Sequence, residues 1–430
     1  MDHCGLSRLG KEWPILSGLE PEKLMPYRIP TDSKGKITTG KDELKRLAEE
    51  TGDPVLSAVI EYRSLGTVIN NYLPNWEPGP DGRVHPVFHY SPPTGQIASR
   101  RPNVQNASKH NPRGQRFRLH GVKAPQGHTF VSFDYQRFHV ATMGYCANDP
   151  KYIRFAIQDS HTIFTSFLVG KPVNFRWSDG DIKAYCKELR KGSHVIDGIE
   201  LPISTIRQAI SKPAVLGNQL GLGPRKLHYQ NREYIRTETQ AKQYQAILAA
   251  EFPKPARFKD QVRERAHLQT YLMNDFGRIQ HFYEVFRFKW NDRANAWERN
   301  SGNDSEKCIA FAVQSPAHDM IQGKLFVIGM DRCKEWGFIN CVHDSLEFMP
   351  RDEDVADCVN TVGPIMVEHC KELTCPACPD GLSVGVDVSM GKNWGSWHEE
   401  KNPEGMKEVH SFNSLWVEPQ GVGEIGALLQ

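Results

Sequence analysis

No run of 18 apolar residues occurs in this 430-residue chain, so nothing has the length of a membrane-spanning helix. The opening Met1-Asp2-His3-Cys4-Gly5 lacks the apolar core of a secretory leader. The ten cysteines are therefore expected as reduced thiols in a cytoplasmic setting. Internal repeats are missing. A second well-spaced cysteine pair is missing too: Cys375-Pro376-Ala377-Cys378, after His369-Cys370, stands alone. A Pro/Gly turn between a helix and the last strand is preferred there to zinc at Cys375 and Cys378. Acidic residues are absent from Gln96 to His128, which holds seven Lys/Arg and three His. A short basic run is usually a solvated face. Clustering on this scale favours a polyanion partner, nucleic acid first. The net charge of +2 would not have revealed it.

Hydrophobic residues make up 39%, enough core for two or three domains or one multi-lobed enzyme. Residues 1–40 read as a Pro/Gly-rich lead-in. Helical pattern runs from Lys41 to Tyr72, broken at Thr51-Gly52-Asp53-Pro54. Val84 to Tyr90 alternates as a strand, and the basic segment reads mostly as loop. Helices are expected at 138–147, 151–168, 204–220, 240–251, 258–275, 310–333 and 355–371, with an irregular stretch around 179–181. Pro213 should kink or restart its helix. Leu382 to Val388 reads as a closing strand, and 398–430 as a polar tail turning apolar at its end.

Two short apolar strands end on acid: Thr129–Asp134 and Phe338–Asp344, with the aspartates 210 positions apart. Burying an unpaired carboxylate costs several kcal/mol, roughly. A pair of such strand ends makes sense around divalent cations, the arrangement of two-metal phosphoryl transfer. Between them, Lys212, Leu216 and Leu220 share one helix face. Gly217, Gly221 and Gly223 leave room for a flat partner close to the backbone; a glycine-rich helix end packed on another helix is the alternative.

Taken in order, the segments resemble the polymerase half of the family A DNA polymerases, over about residues 15–397. Ile60-Glu61-Tyr62-Arg63 is similar to LEYR. Thr94-Gly95-Gln96-Ile97-Ala98-Ser99-Arg100-Arg101-Pro102-Asn103-Val104-Gln105-Asn106 is similar to the TGRLSS..PNLQN segment that grips primer–template. Asp134-Tyr135-Gln136-Arg137-Phe138-His139 resembles DYSQIE. Lys212-(3)-Leu216-Gly217-(2)-Leu220-Gly221 resembles the nucleotide helix. Gly277-Arg278 is similar to the GR turn on the template side, Val313-Gln314-Ser315-Pro316-Ala317-His318-Asp319 to PVQG.AAD, Val342-His343-Asp344-Ser345 to VHDE, and Gly391-Lys392-Asn393-Trp394 to GxNW.

The resemblance implies an α+β right-hand fold, an antiparallel palm sheet with helical fingers and thumb. It assigns 41–82 to thumb, 83–150 and 300–397 to palm, 151–299 to fingers and 398–430 to a tail. It implies primer–template DNA and dNTPs as partners, and a bacterial cell or nucleoid as location. Two Mg²⁺ ions, or Mn²⁺, about 3.5–4 Å apart would sit on Asp134, Asp344 and the Tyr135 carbonyl. Lys212 would neutralise the triphosphate, with Arg207, Gln208, Leu216, Leu220, Gln136 and His139 lining the nucleotide. Gln96, Arg100, Arg101, Asn103, Gln105, Asn106, Arg278, Gln314 and His343 would contact DNA. The 40 residues before the thumb are too few for a nuclease domain, so none is expected in this stretch, and a separately encoded 3′–5′ exonuclease is the hypothesis for a partner.

The chain departs from the pattern at several positions. His139 replaces the glutamate that excludes a ribose 2′-hydroxyl, so sugar choice rests on bulk or is relaxed. Leu216 and Leu220 replace aromatics, and Gln96 replaces the TGR arginine. Gln208 replaces an arginine, leaving Arg207 either re-aimed at the triphosphate by Pro213 or facing solvent. Ser345 replaces the VHDE glutamate; Glu347, on the same strand face, is either its substitute or a surface charge. A single-subunit RNA polymerase and a non-catalytic DNA-binding relative are the competing readings.

Overall fold

The computed structural model describes residues 40–419, apart from 68, 71–73, 75, 91, 108, 110, 111 and 293. The lead-in before Gly40 and the apolar end of the tail lie outside the described residues. The chain divides into two compact units, Met1–Val87 with Ser99–Phe117, and Phe88–Ala98 with Arg118–Gln430.

In the first unit, α1 (Lys41–Thr51) and α2 (Pro54–Thr67) form a helical hairpin. Leu44, Leu47, Leu56 and Val59 are its buried seam. The Thr-Gly-Asp-Pro break works as its residue types dictate. Gly52 takes φ +67° and donates to the Ala48 carbonyl, a left-handed cap that costs glycine little. The Asp53 carboxylate accepts from Val55 N–H at 2.8 Å, and Pro54 supplies a first helical residue that needs no N–H partner.

The second unit is built on a five-stranded antiparallel sheet. Its strands are β1 (Phe130–Tyr135), β2 (Phe338–Val342), β3 (Ser345–Phe348), β4 (Val386–Gly391) and β5 (Lys407–Phe412), in the order β2-β3-β1-β4-β5. Alternation sorts the two faces. Phe133, Tyr135, Leu346, Phe348, Val386 and Val388 are buried on one face. Packing each fully buried large side chain there stabilises by about 1.5–3 kcal/mol. The other face is polar and forms two cross-strand rows: Ser345, Asp134 and Asp387, then Glu347, Ser132 and Ser389. Helix α3 (Phe138–Cys146) follows β1 directly. Further helices used below are α4 (Ser160–Leu168), α5 (Lys212–Gln219), α6 (Pro253–Gln269), α7 (Ser305–Ile328) and α8 (Val355–Val367). α8 packs across β1, β4 and β5.

Several sequence expectations need correction. The helix expected over 151–168 is two, Pro150–Ile157 and α4, because Asp159 caps a new N-terminus by accepting from Thr162 N–H. The stretch at 179–181 starts a helix, Asp179–Leu189, capped by the Ser178 hydroxyl. The basic segment contains a helix, Pro112–Gly121. The helix does restart at Pro213, which sits in the first turn of α5, but the turn before it widens into a π segment, Arg207–Ser211, in which Lys212 N–H reaches the Arg207 carbonyl. The helix expected to run to 275 ends at Gln269, where Thr270 takes φ +62°. The tail is not merely polar: β5 pairs with β4, and its Phe412 ring lies so close to α8 that any side chain at Gly363 would strike it.

Candidate active site

Asp134 is exposed near the end of β1, between buried Phe133 and Tyr135. Asp344 belongs to the two-residue turn joining β2 to β3, where His343 takes φ +57°. The Tyr135 N–H donates to the Asp344 carbonyl at 3.2 Å, and Ser345 stands opposite Asp134. Both aspartates therefore leave the same end of adjacent strands. Tyr135 turns its side chain into the core, where its hydroxyl donates to the Met366 carbonyl.

Sequence reasoning missed Asp387. It lies directly opposite Asp134 on β4 and accepts from the Gln136 amide at 2.5 Å. Like charges facing each other across a ladder are destabilising. The signal was available: Val386-Asp387-Val388 repeats the acid-between-apolars pattern of Phe133-Asp134-Tyr135.

Glu347 is not a surface charge. It is buried, and one oxygen accepts from Ser132 (2.8 Å) and Ser345 (2.9 Å), while Oε2 meets no polar partner. Burial pushes its carboxyl up, against the two hydroxyls and Arg118. Arg118 is itself buried, lowered to about 10 by desolvation. Its guanidinium lies 3.9 Å from the Trp394 ring centroid and donates to the Trp394 carbonyl. The Gly-Lys-Asn-Trp segment thus braces the polar face from below: Lys392 also holds the Thr129 hydroxyl and Asp352.

Beside the carboxylates lies a cluster of imidazoles. His139, on the first turn of α3, has a buried Nε2 without a hydrogen-bond partner. Its ring centroid is 5.6 Å from that of His318 on α7. Burial lowers His139 to about 4 and His318 to about 3, with the neighbouring imidazoles adding to it. Both rings are neutral at pH 7. His343 is exposed, and its Nδ1 accepts from the Gln96 amide at 2.9 Å, which leaves its other nitrogen turned elsewhere. Gln314 is half-buried on α7, one turn before His318.

The cations sit on helices and hairpins. Lys212 opens α5 and makes no hydrogen bond or ion pair among the described residues; His161, on α4, feels its charge. Arg207 takes neither orientation left open by the sequence. It pairs with Asp159 at 3.1 Å and donates to the Thr162 hydroxyl. Burial pushes the Asp159 carboxyl up, and Arg207 with Thr162 more than reverses it. Gln208 is exposed. Arg278 is clamped by Asp319, Nη2 to Oδ1 at 2.7 Å and Nε to Oδ2 at 3.0 Å, and lies flat beneath Gly95. Leu216 packs on the core. The glycines here serve packing: Gly217 abuts Leu222, and Gly221, at φ +73°, abuts Ile309 of α7. The helix-packing alternative holds for Gly221, while Gly217 packs on the loop that follows its own helix and Gly223 faces open space.

In the first unit, Ser99 organises the expected DNA-gripping loop. Its N–H donates to Gln105 Oε1, its hydroxyl accepts from Val104 N–H, and Asn103 accepts from Gln105 N–H. Arg100, Arg101, Asn103 and Asn106 are exposed around it.

Residues 19–175 match the family described as DNA polymerase family A. The chain is 23% identical over 411 residues to DNA polymerase I of Treponema pallidum (strain Nichols), covering 92% of this chain and 36% of that protein. It is 26% identical over 148 residues to DNA polymerase I of Mycobacterium tuberculosis (strain ATCC 25618 / H37Rv), covering 33% of this chain and 16% of that one. Over these stretches the chain is similar to the family A DNA polymerases. It spans about a third of the length of the Treponema relative. Its fold is that of the POL domain of Pol1 from M. smegmatis, solved in complex with DNA primer-template and dNTP: the TM-score is 0.65 at 20% identity, over 87% of this chain and 61% of that one. The α+β fold of a polymerase domain, with an antiparallel sheet, is therefore the fold here. No helix among the described residues is long and apolar enough to cross a membrane.

Proposed function

We propose that this chain is a template-directed DNA polymerase that adds dNTPs to a primer 3′-hydroxyl with Mg²⁺ or Mn²⁺. The observation that carries the reading is the convergence of Asp134 and Asp344 at one end of the polar sheet face, with Asp387 alongside. Their donor chemistry fits hard cations. It is all oxygen. Two carboxylates and a main-chain carbonyl leave room for substrate phosphates, as Mg²⁺ prefers. Asp134, Asp344 and the Tyr135 carbonyl would hold the ions, which when bound lower the barrier by stabilising charge on attacking and leaving oxygens.

The chain's own residues supply the rest. Lys212 neutralises the triphosphate and stands near the leaving group. Neutral, buried His139 limits the sugar by bulk and not by charge. Gln136 fixes Asp387 and with it the end of β1. His343, held by Gln96, and Gln314 approach the primer end, and Arg278 supports the template side through Gly95. Residues 41–82 serve as thumb, 83–150 with 300–397 as palm, and 151–299 as fingers. The division into units groups Ser99–Phe117 with the thumb helices. Arg100 and Arg101 contact phosphates, so Arg100→Ala should weaken duplex binding evenly across sequences and reduce the salt slope by about 1.

Primer extension with each dNTP, each rNTP, and Mg²⁺ or Mn²⁺ tests the reading. Incorporation of dNTPs opposite their complements is expected. Extension by rNTPs alone would favour the RNA polymerase reading, and binding of primer–template without extension the non-catalytic one.

A further inference from the structure

The Cys375-Pro376-Ala377-Cys378 turn takes no part in the chemistry above, yet three segments meet on it. Cys375 and Cys378 exchange both backbone hydrogen bonds, at 3.2 and 2.8 Å. A directly opposed pair of this kind holds its Cα atoms about 5.5 Å apart, within the roughly 4.4–6.8 Å a disulfide spans. The Cys375 sulfur also reaches the Tyr145 carbonyl at the end of α3. Ala377 N–H donates to Asn148, and the Ala377 carbonyl accepts from the Trp416 indole at 2.8 Å. Cys378 is buried, whereas Cys375 is half-buried.

The two thiols are already hydrogen-bonded to each other, which pulls Cys375 down to about 7 and pushes Cys378 up. That is the division between an attacking and a resolving thiol. The nearby Cys146 donates to the Ala312 carbonyl and is pushed up by burial.

We propose that Cys375 and Cys378 are a reversible dithiol–disulfide pair whose oxidant is a low-molecular-weight disulfide. The Cys375 thiolate attacks one sulfur of the oxidant. The oxidant's S–S bond breaks, and the departing thiolate takes up the proton Cys375 lost. Cys378 then gives its proton to water and attacks the Cys375 sulfur, releasing the second small thiolate, which is protonated in turn. The protein loses two electrons and two protons, and the oxidant becomes two thiols. Transient pairs of this type are the ones a reducing compartment tolerates. Closure withdraws the Cys375 S–H from the Tyr145 carbonyl, and Trp416 sits where it registers the change.

The test treats the full chain with oxidised glutathione, blocks remaining thiols by alkylation and maps peptides by mass. The expected result is a Cys375–Cys378 link that dithiothreitol reverses, with a change in tryptophan emission that Trp416→Phe removes. Cys378→Ser should stop at a mixed disulfide on Cys375, and Cys146→Ser should behave as wild type. Full alkylation of both thiols after oxidation, or a Cys146–Cys375 link, overturns the proposal. Mapping the wild-type chain decides the matter even if a variant misfolds.

Discussion

The carboxylates and the cations of this site are held in different ways. Asp134 and Asp387 are placed by strand register, and Asp344 by the tight turn whose carbonyl accepts from Tyr135 N–H. Arg207 and Arg278 are placed by ion pairs, with Asp159 and Asp319. Only Lys212 among the three helix- and hairpin-borne cations lacks a protein anion among the described residues. The anionic half of the site is preformed, while most of its cationic half is already spent on structure.

Mutations can break or sharpen that contrast. Asp134→Asn or Asp344→Asn should lower extension at least ~10³-fold, about 4 kcal/mol of barrier, while primer–template affinity stays within a few-fold; single-turnover extension and a binding titration read the two. Lys212→Ala should reduce kcat/KM for dNTP by about 10²–10³, the usual loss of one preorganised charge-stabilising group. The seam between the halves is tested by pH. His139 stays neutral down to about 4, whereas the unfolded chain takes up that proton near 6.5. The unfolded state therefore binds more protons over this window, and stability is present above about 6.5 and lost as pH falls toward 4. The gap is on the order of 3 kcal/mol, and His139→Gln should flatten the decline in thermal melts. The smallest effect on chemistry is expected from Arg207→Ala. It should cost about 1 kcal/mol of stability, since Asp159 keeps Arg190 at 3.6 Å and the Thr162 hydroxyl, and leave KM for dNTP within threefold. A large rise in KM would mean that Arg207 exchanges Asp159 for the nucleotide.

Much of the carboxylate half was legible because period-2 alternation makes an acid at a strand end conspicuous. Asp387 followed the same rule but lay on a strand whose start was placed four residues early, so its register with Asp134 was invisible. The burial of Glu347 could not be read from spacing, since it depends on Ser132 and Ser345 arriving from two strands to meet one oxygen. The cationic half was hardest. Whether Arg207 faces phosphate, solvent or Asp159 depends on a π turn that widens the helix ahead of Pro213, and no periodicity encodes that. Gly221 was ambiguous for a related reason: the Ile309 side chain it approaches comes from elsewhere in the chain.

The pairing of β5 with β4 has a practical side. The family likeness runs out near residue 397, a tempting place to stop an expression clone. Such a truncation would strip the sheet of its last strand, uncover the ring-sized hollow at Gly363, and turn the strand bearing Asp387 into a raw border ready to zip onto a neighbouring molecule. Recombinant versions should therefore extend past Trp416 to keep that border covered.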